Sequence, residues 1–574
     1  MADLEELLRE RLAGAFEAVA GEVVDPAVHR SQHADYQSDA ALALSRKLGD
    51  SPRAIAERVL QHARLDDICT KAEVSGPGFI NLTVANETLG ELLSAVVADQ
   101  RLGVAPSPDP EVVTVDYSAP NAAKEMHVGH LRSTIIGDAV VRLLEWLGHT
   151  VIRENHIGEW GTPFGMLIEH LVDIGEDEAA HELSVGDLNG FYQAARRKFD
   201  SDDQFKERAR RRVVLLQSGD AVTRRLWEVL VGESKKYFAT VYSRLDVRLT
   251  DEDYFGESFY NDQLQSVVDE LDSLGLLRIS DGAKCVFPQG FTSRDGSPLP
   301  LIVQKSDGGY GYAATDLATI RHRLKVLKAT RLLYVVGLPQ RQHLEMVYQA
   351  AREAGWLVPP ARAEHIGHGS ILGKDGKILR TRAGVSVKLV DLLDEAVARA
   401  TTIVAEKNPA LGSVERAAVA KAVGIGAIKY ADLSTDRVRD YVFDLDRMLA
   451  FEGNTGPYLQ YAYARICSIF RRGGLEPVKE AKQLLIAEEA ERALAIELLA
   501  FGSLVQEVAV SVEFHRLANY LFGLATTFTT FYERCPVLKA PEDVRDSRLV
   551  LCDLTARTLR LGLGLLGISA PARM

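Results

Sequence analysis

The run "EVVTVDY" (111–117) is apolar and β-branched, and it leads into the loop "SAPNAAKEM" and then "HVGHLRSTII". Such a run reads as a buried strand that ends in a loop and opens a helix. From 111 to about 390 further β-rich runs, "TRLLYVVGL" and "EHIGHGSIL", alternate with amphipathic helical patterns. That alternation restricts the fold to an open, Rossmann-like parallel sheet with helices on both faces. A largely helical insertion is expected to interrupt it from about 170 to 300.

A chain of 574 residues is too long for one hydrophobic core. The three prolines of "GVAPSPDP" (103–110) cannot continue a helix or a central strand, so a domain boundary is placed there. Residues 1–108 then form a small α/β module around "AEVSGPGFINLTV". Residues 109–390 form the sheet domain, and the almost wholly helical pattern of 391–574 reads as a bundle. The fold class expected is therefore multidomain α/β with an α-helical bundle at the C-terminal end.

The N-terminus lacks a basic start and an uninterrupted apolar core, so it is not read as a signal peptide, and no run approaches a membrane span. Five scattered cysteines without a CxxC pair argue against a disulfide framework and a zinc cluster. A cytoplasmic setting is expected. The net charge of −13 disfavours a polyanion partner only on average. Local basic stretches at 194–198, 208–212 and 469–473 remain, and each alone reads as a solvated helix face.

In an open α/β sheet ligands sit beyond the carboxyl ends of the strands, where the loop after "VVTVDY" lies. Gly129 allows close backbone approach, and a helix starting near His127 to His130 aims its amides and dipole at a phosphate. His127 and His130 fall on one helical face and could both donate to phosphoryl oxygens that gain charge during in-line displacement. A bare His-x-Gly-His also reads as a helix cap with a satisfied histidine. The strand, loop and helix in register favour the phosphate reading.

The stretch "VDYSAPNAAKEMHVGHLRSTIIGDAVVRLLEWLGHTVIRENHIGEWGTPFGML" resembles the nucleotide-binding half of class I arginyl-tRNA synthetases, with HVGH as the HIGH-type motif. The resemblance spans nearly the whole chain, through "GPGFINL", "GESFY" (256–260), "YAATDLATIRHR" and "FEGNTGPYLQYAYARI". It implies a ligase that activates L-arginine with ATP and transfers it to tRNA(Arg), with His127 and His130 in catalysis. The loop "GKDGKILRTRAG" (373–384) resembles a degenerate KMSKS loop with Thr381 at the usual second lysine, and Lys124 matches the lysine that compensates for it. ATP binding is then assigned to His127, Gly129, His130, Lys377, Arg380 and Arg382. Magnesium is expected to come with the nucleotide, without a dedicated protein metal site.

For arginine, the resemblance implies guanidinium contacts from Asp116 and Asp316, with Tyr312 and Gln340 beside them. Asn121 matches the position that holds the α-amino or carboxylate end, and Ser118 is counted with the same site. A planar guanidinium with five donors suits such a set of carboxylates and neutral acceptors. For tRNA, Tyr458, Tyr461 and Arg465 match anticodon-loop positions and share a helical face, while Phe79 and Asn81 match elbow contacts. His368 stands where many relatives carry an aromatic near the adenine. A monomer is expected, and adenylate formation is expected to need bound tRNA. Competing readings are a class I synthetase for another amino acid, an unrelated HxGH nucleotidyltransferase, or a synthetase-like RNA-binding protein without catalysis.

Overall fold

The structure, a computed structural model, describes residues 3–175, 188–380, 387–476, 478 and 484–574. Two compact units emerge: Ser107–Leu449 with Leu565–Ile568, and Met1–Pro106 with Ala450–Gly564 and Ser569–Met574.

The first of these is built on a four-stranded parallel sheet. Its strands are β1 (Val112–Asp116), β2 (Thr150–Glu154), β3 (Arg331–Tyr334) and β4 (Arg362–His365), in the order β4-β3-β1-β2. Val113, Thr114 and Val115 are buried, as a central strand covered on both faces requires. The register aligns Asp116 with Glu154 on one side and Tyr334 on the other, and Tyr334 with His365. The carboxyl edge of the sheet is therefore a row of polar side chains.

Helix α1 (Leu131–Trp146) follows the loop after β1 and is buried along most of its length. Gly137 makes its close approach possible, because a Cβ there would lie 2.3 Å from the Tyr117 side chain. The insertion is helical through α2 (Ala221–Leu245) and a short helix, Leu264–Ser273. It then turns into antiparallel strands Leu277–Ser280 and Ala283–Val286, the latter also pairing with Leu301–Gln304. These strands are short and half exposed, so their alternation is weak, and the expectation of a largely helical insertion missed them. Beyond it lie α3 (Tyr312–Lys325) and α4 (Arg341–Glu353).

The expected boundary at 390 falls inside this unit. Helices α5 (Leu389–Lys407) and α6 (Ser413–Leu433) belong to it, not to a domain starting at 391. The cause is ionic as well as apolar. Arg132 of α1 pairs with Asp432 of α6 at 3.3 Å with both side chains buried, and Arg132 also donates to the Arg439 carbonyl at 2.7 Å. Lys429 of α6 donates to the Gly567 carbonyl at 2.8 Å.

In the second unit a four-stranded antiparallel sheet, ordered Val28–Arg30, Tyr36–Ser38, Phe79–Val84, Cys69–Ser75, packs with helices. The C-terminal helices join it: Arg492 donates to the Val84 carbonyl at 2.7 Å and pairs with Asp35, and Arg557 donates to the Val97 carbonyl at 2.7 Å. The two terminal modules expected from the sequence thus share one compact unit. Glu489–Ser511 is apolar and long enough by composition to cross a membrane, against the expectation that no stretch approaches this. Yet 56% of that window is buried inside the protein, the pattern of a core helix pair.

Removing one member of a buried pair strands the other charge. Arg132→Met should cost about 3–5 kcal/mol, while Arg132→Met with Asp432→Leu should recover at least half of the loss in chemical denaturation. An equal loss in both variants would show that the charges do not hold α1 and α6 together.

Candidate active site

The loop from β1 to the histidines is unusual in its backbone. Ser118, Ala119 and Ala123 have φ of 69°, 45° and 56°, the left-handed region that non-glycine residues enter at a cost. Side chains from elsewhere hold it there. The Ser118 amide donates to Ser133 Oγ at 2.9 Å, the Ala119 amide to Asn155 Oδ1 at 3.0 Å and the Ala123 amide to Ser234 Oγ at 2.8 Å. Ser118 Oγ lies 2.8 Å from the Tyr242 hydroxyl, so the insertion helix α2 braces the loop. Ser118 is buried, with its amide and hydroxyl engaged in these bonds.

The loop delivers His127 and His130 around a short 3₁₀ turn, Val128–His130, that runs into α1. Each ring has one nitrogen occupied: the Gly129 amide donates to His127 Nδ1 at 3.0 Å, and the His127 amide donates to His130 Nδ1 at 3.1 Å. An Nδ1 that accepts from a backbone N–H carries no proton, so each neutral ring bears its proton on Nε2. Burial, and then the charge of Lys124, lowers the pKa of His127; burial, and then His127, pushes His130 down to about 3. Both are neutral Nε2–H donors at neutral pH. The capping reading and the donor reading of the motif are therefore compatible, because they use different nitrogens. Gly129 has a further role here: a Cβ on it would lie 2.7 Å from His127 Cε1.

A cavity of about 370 Å³ lies at the carboxyl edge of the sheet, lined by Asp116, His156, Glu257, Asp316, Tyr334 and His343 among others. Tyr312 and Gln340 also line it, so four of the six residues expected to bind arginine meet in one place. Ser118 and Asn121 do not line it; Asn121 is exposed, with its Oδ1 2.3 Å from where a Cβ on Gly158 would lie. Tyr312 is 79% exposed and forms the outer wall. Asp116 Oδ2 accepts from Arg323 Nη2 at 2.7 Å, and Asp316 Oδ2 lies 2.5 Å from His343 Nε2.

Glu257 is the third carboxylate of the cavity. It accepts from the Trp160 amide at 3.2 Å, and burial followed by the charge of Glu159 pushes its pKa up to about 7. Its motif "GESFY" was legible but its place in the cavity was not. Arg323, Glu257 and His343 went unassigned because their types and spacing are ordinary; Gln340 and His343, three apart at a helix start, were the available signal.

Lys124 holds its Nζ 4.3 Å above the Tyr192 ring. Lys377 and Arg380 are exposed beyond the short strand Ile371–Leu372, and Arg382 lies outside the described residues. His368 is buried with Nδ1 3.0 Å from the Gly369 carbonyl. In the other unit, Tyr461 is 45% exposed, Tyr458 faces Phe522 at 5.7 Å and Arg465 lies 5.0 Å over Tyr532, forming an aromatic ledge. Asn81 is buried and its amide is taken up by Gln37 and Ser75, whereas Phe79 is half-buried. Of the basic stretches, Arg208 and Arg212 are tied to Glu169.

A parallel sheet whose central strand delivers a His-x-Gly-His turn is the catalytic fold of a class I aminoacyl-tRNA synthetase, and the family model "tRNA synthetases class I (R), catalytic domain" matches residues 91–445. The models "DALR anticodon binding domain" and "Arginyl tRNA synthetase N terminal domain" match residues 459–574 and 2–84. The chain is 56% identical to an arginine–tRNA ligase of Thermobifida fusca, over all of both chains, and 51% identical to one of Frankia casuarinae, over 96% and 95%. Its fold matches the arginyl-tRNA synthetase of Plasmodium falciparum at a TM-score of 0.87, with 30% identity, covering 100% and 99% of the two chains. The Thermus thermophilus enzyme matches at 0.84, with 28% identity and full coverage of both. The chain belongs to the arginyl-tRNA synthetase family.

The tautomer assignment has a direct check. In nitrogen-detected NMR, His130 should show Nε2–H and an unprotonated Nδ1, with no titration between pH 5 and pH 8, given its pKa of about 3. A midpoint near that of a free imidazole would refute the buried, neutral assignment.

Proposed function

We propose that the chain is an arginine–tRNA ligase: it activates L-arginine with ATP, then passes the arginyl group to tRNA(Arg), releasing AMP and pyrophosphate. The observation that carries this reading is the acidic cavity, lined by the last residue of the strand that leads to the histidine pair. Asp116 and Asp316 accept from the guanidinium, while Tyr312 and Gln340 offer neutral oxygens to the remaining donors. Lysine or ornithine would leave buried carboxylate oxygens unpaired, which disfavours them strongly.

In the first step an arginine carboxylate oxygen attacks the ATP α-phosphorus in line, and the bond to pyrophosphate breaks. Charge grows on the phosphoryl oxygens, where the Nε2–H groups of His127 and His130 donate. Neutral donors suit this task because they require no proton uptake. Lys124, Lys377 and Arg380, together with Arg382, supply the positive charge that holds the triphosphate. Among the described residues no group of three or more His, Cys, Asp or Glu could hold a metal. Magnesium in this reading arrives with ATP, held by nucleotide and water.

In the second step the terminal adenosine of tRNA attacks the adenylate carbonyl and AMP leaves. The ledge of Tyr458, Tyr461 and Arg465 supports anticodon-loop binding by base stacking. Phe79 is retained as an elbow contact, and Asn81 contributes by shaping the strand beneath it. The five free cysteines fit a reducing cytoplasm.

The test is exchange of pyrophosphate into ATP, run with arginine or lysine and with or without tRNA. Exchange is expected with arginine alone among the two, and only with tRNA present. Lys124→Ala should lose about 100-fold or more in exchange while its tRNA affinity is preserved. Unchanged turnover in that variant would remove Lys124 from the mechanism, and absent exchange with intact tRNA binding would remove catalysis altogether.

A further inference from the structure

Both aspartates that face the cavity already bond a basic side chain of the protein, and the two bases differ in kind. Arg323 is fully buried, is shared with Glu154 and keeps its charge at any working pH. His343 stands in the first turn of α4, lines the cavity and keeps 33% of its side chain exposed. Its Nε2 meets Oδ2 of Asp316 at 2.5 Å, so the other carboxylate oxygen, Oδ1, is left for a ligand. An imidazolium and a substrate guanidinium would then share one carboxylate. Two cations on one acceptor repel, and only the histidine can discharge.

Resting on the reading of this cavity as the arginine site, we propose that His343 is its positioning residue: it fixes Asp316 through Oδ2, and arginine binding expels one proton from it. The proton at Nδ1 departs to solvent, while Nε2–H remains and keeps its hydrogen bond to Asp316. The guanidinium takes over the ion pair, so charge is conserved around the carboxylate. The bond to Asp316, against burial, raises the His343 pKa above its ordinary value, which favours the imidazolium in the ligand-free protein.

Other titratable groups line the same space: Asp316 and Tyr312 from α3, Asp116 from β1, Tyr334 from β3, Glu257 and His156. Glu257 requires a control. Its pKa of about 7 means that it too gains charge as pH rises, which would also favour a cationic ligand. A His343 variant that keeps a donor but cannot titrate separates the two.

The experiment is calorimetric binding of L-arginine to the full chain in buffers of different ionisation enthalpy, together with the arginine KM in tRNA-dependent exchange between pH 6 and pH 8. Wild type should release close to one proton at the acidic end, and its KM should rise about tenfold as pH falls across that range. H343Q should release little or none and hold KM within about threefold, with an arginine affinity at pH 8 well above that of H343L. H343L should raise KM about tenfold at every pH, because Asp316 loses its anchor. A full KM rise in H343Q would assign the titration to Glu257 and overturn proton expulsion from His343; an unchanged KM in H343L would overturn positioning. Wild-type protein that neither binds arginine nor supports exchange would instead overturn the reading of the cavity itself.

Discussion

The guanidinium of Arg323 organises the carboxyl edge of the sheet. Its Nη2 reaches Asp116 at the end of β1, its Nε reaches Glu154 at the end of β2 at 2.7 Å, and its plane lies 4.8 Å from the Tyr334 ring at the end of β3. One fully buried side chain thus touches the last residue of three adjacent strands. Burial works against its charge, yet Glu154, Tyr334 and Asp116 outweigh that and hold its pKa well above the ordinary value. Such a cluster adds little net stability, since desolvation consumes most of the attraction. What it confers is position, because a single cation between two carboxylates leaves one negative charge in excess beside the cavity. Polar atoms around it, Arg323 Nη1, Glu154 Oε1 and the hydroxyls of Tyr260, Tyr334 and Tyr348, lack partners among the described residues. This polar group sits within an otherwise apolar cluster that includes Leu317, Leu332 and Leu344.

The loop that leaves β1 converts that fixed edge into chemistry. Its left-handed alanines and serine persist because Ser133 of α1, Asn155 after β2, and Ser234 and Tyr242 of α2 hold the loop from three separate elements. The same loop sets the histidine tautomers through backbone amides, with no carboxylate involved. Donors oriented before the substrate arrives need no reorganisation in the transition state. Strain in the loop and orientation of the donors are two consequences of one set of hydrogen bonds.

Local signals were legible in the sequence, and contacts between distant segments were not. β1, the turn and α1 are contiguous, so their order and chemistry could be read directly, and the resemblance then placed Asp116, Tyr312, Asp316 and Gln340 at one cavity. The bond between the Ser118 hydroxyl and Tyr242, more than a hundred residues later, could not be read from sequence. Arg323 in the last turn of α3 resembles an ordinary helix-end base, and only the fold reveals its partners on β1 and β2. The boundary near 390 was invisible for the same reason: α5 and α6 look like bundle helices until the pairing of Arg132 with Asp432 is seen. Arg492 and Arg557 likewise join sequence-distant modules into one unit.

In the proposed function the cavity selects a cationic, planar side chain through Asp116 and Asp316. L-citrulline has the shape of arginine but a neutral urea in place of the guanidinium, so paired calorimetric titrations of the two ligands isolate the charge. The expected result is arginine affinity at least about 100-fold above that of citrulline, with most of the difference lost in Asp316→Asn. Equal affinity for the two, or a difference that survives Asp316→Asn unchanged, would contradict the assignment of the acidic cavity to the guanidinium.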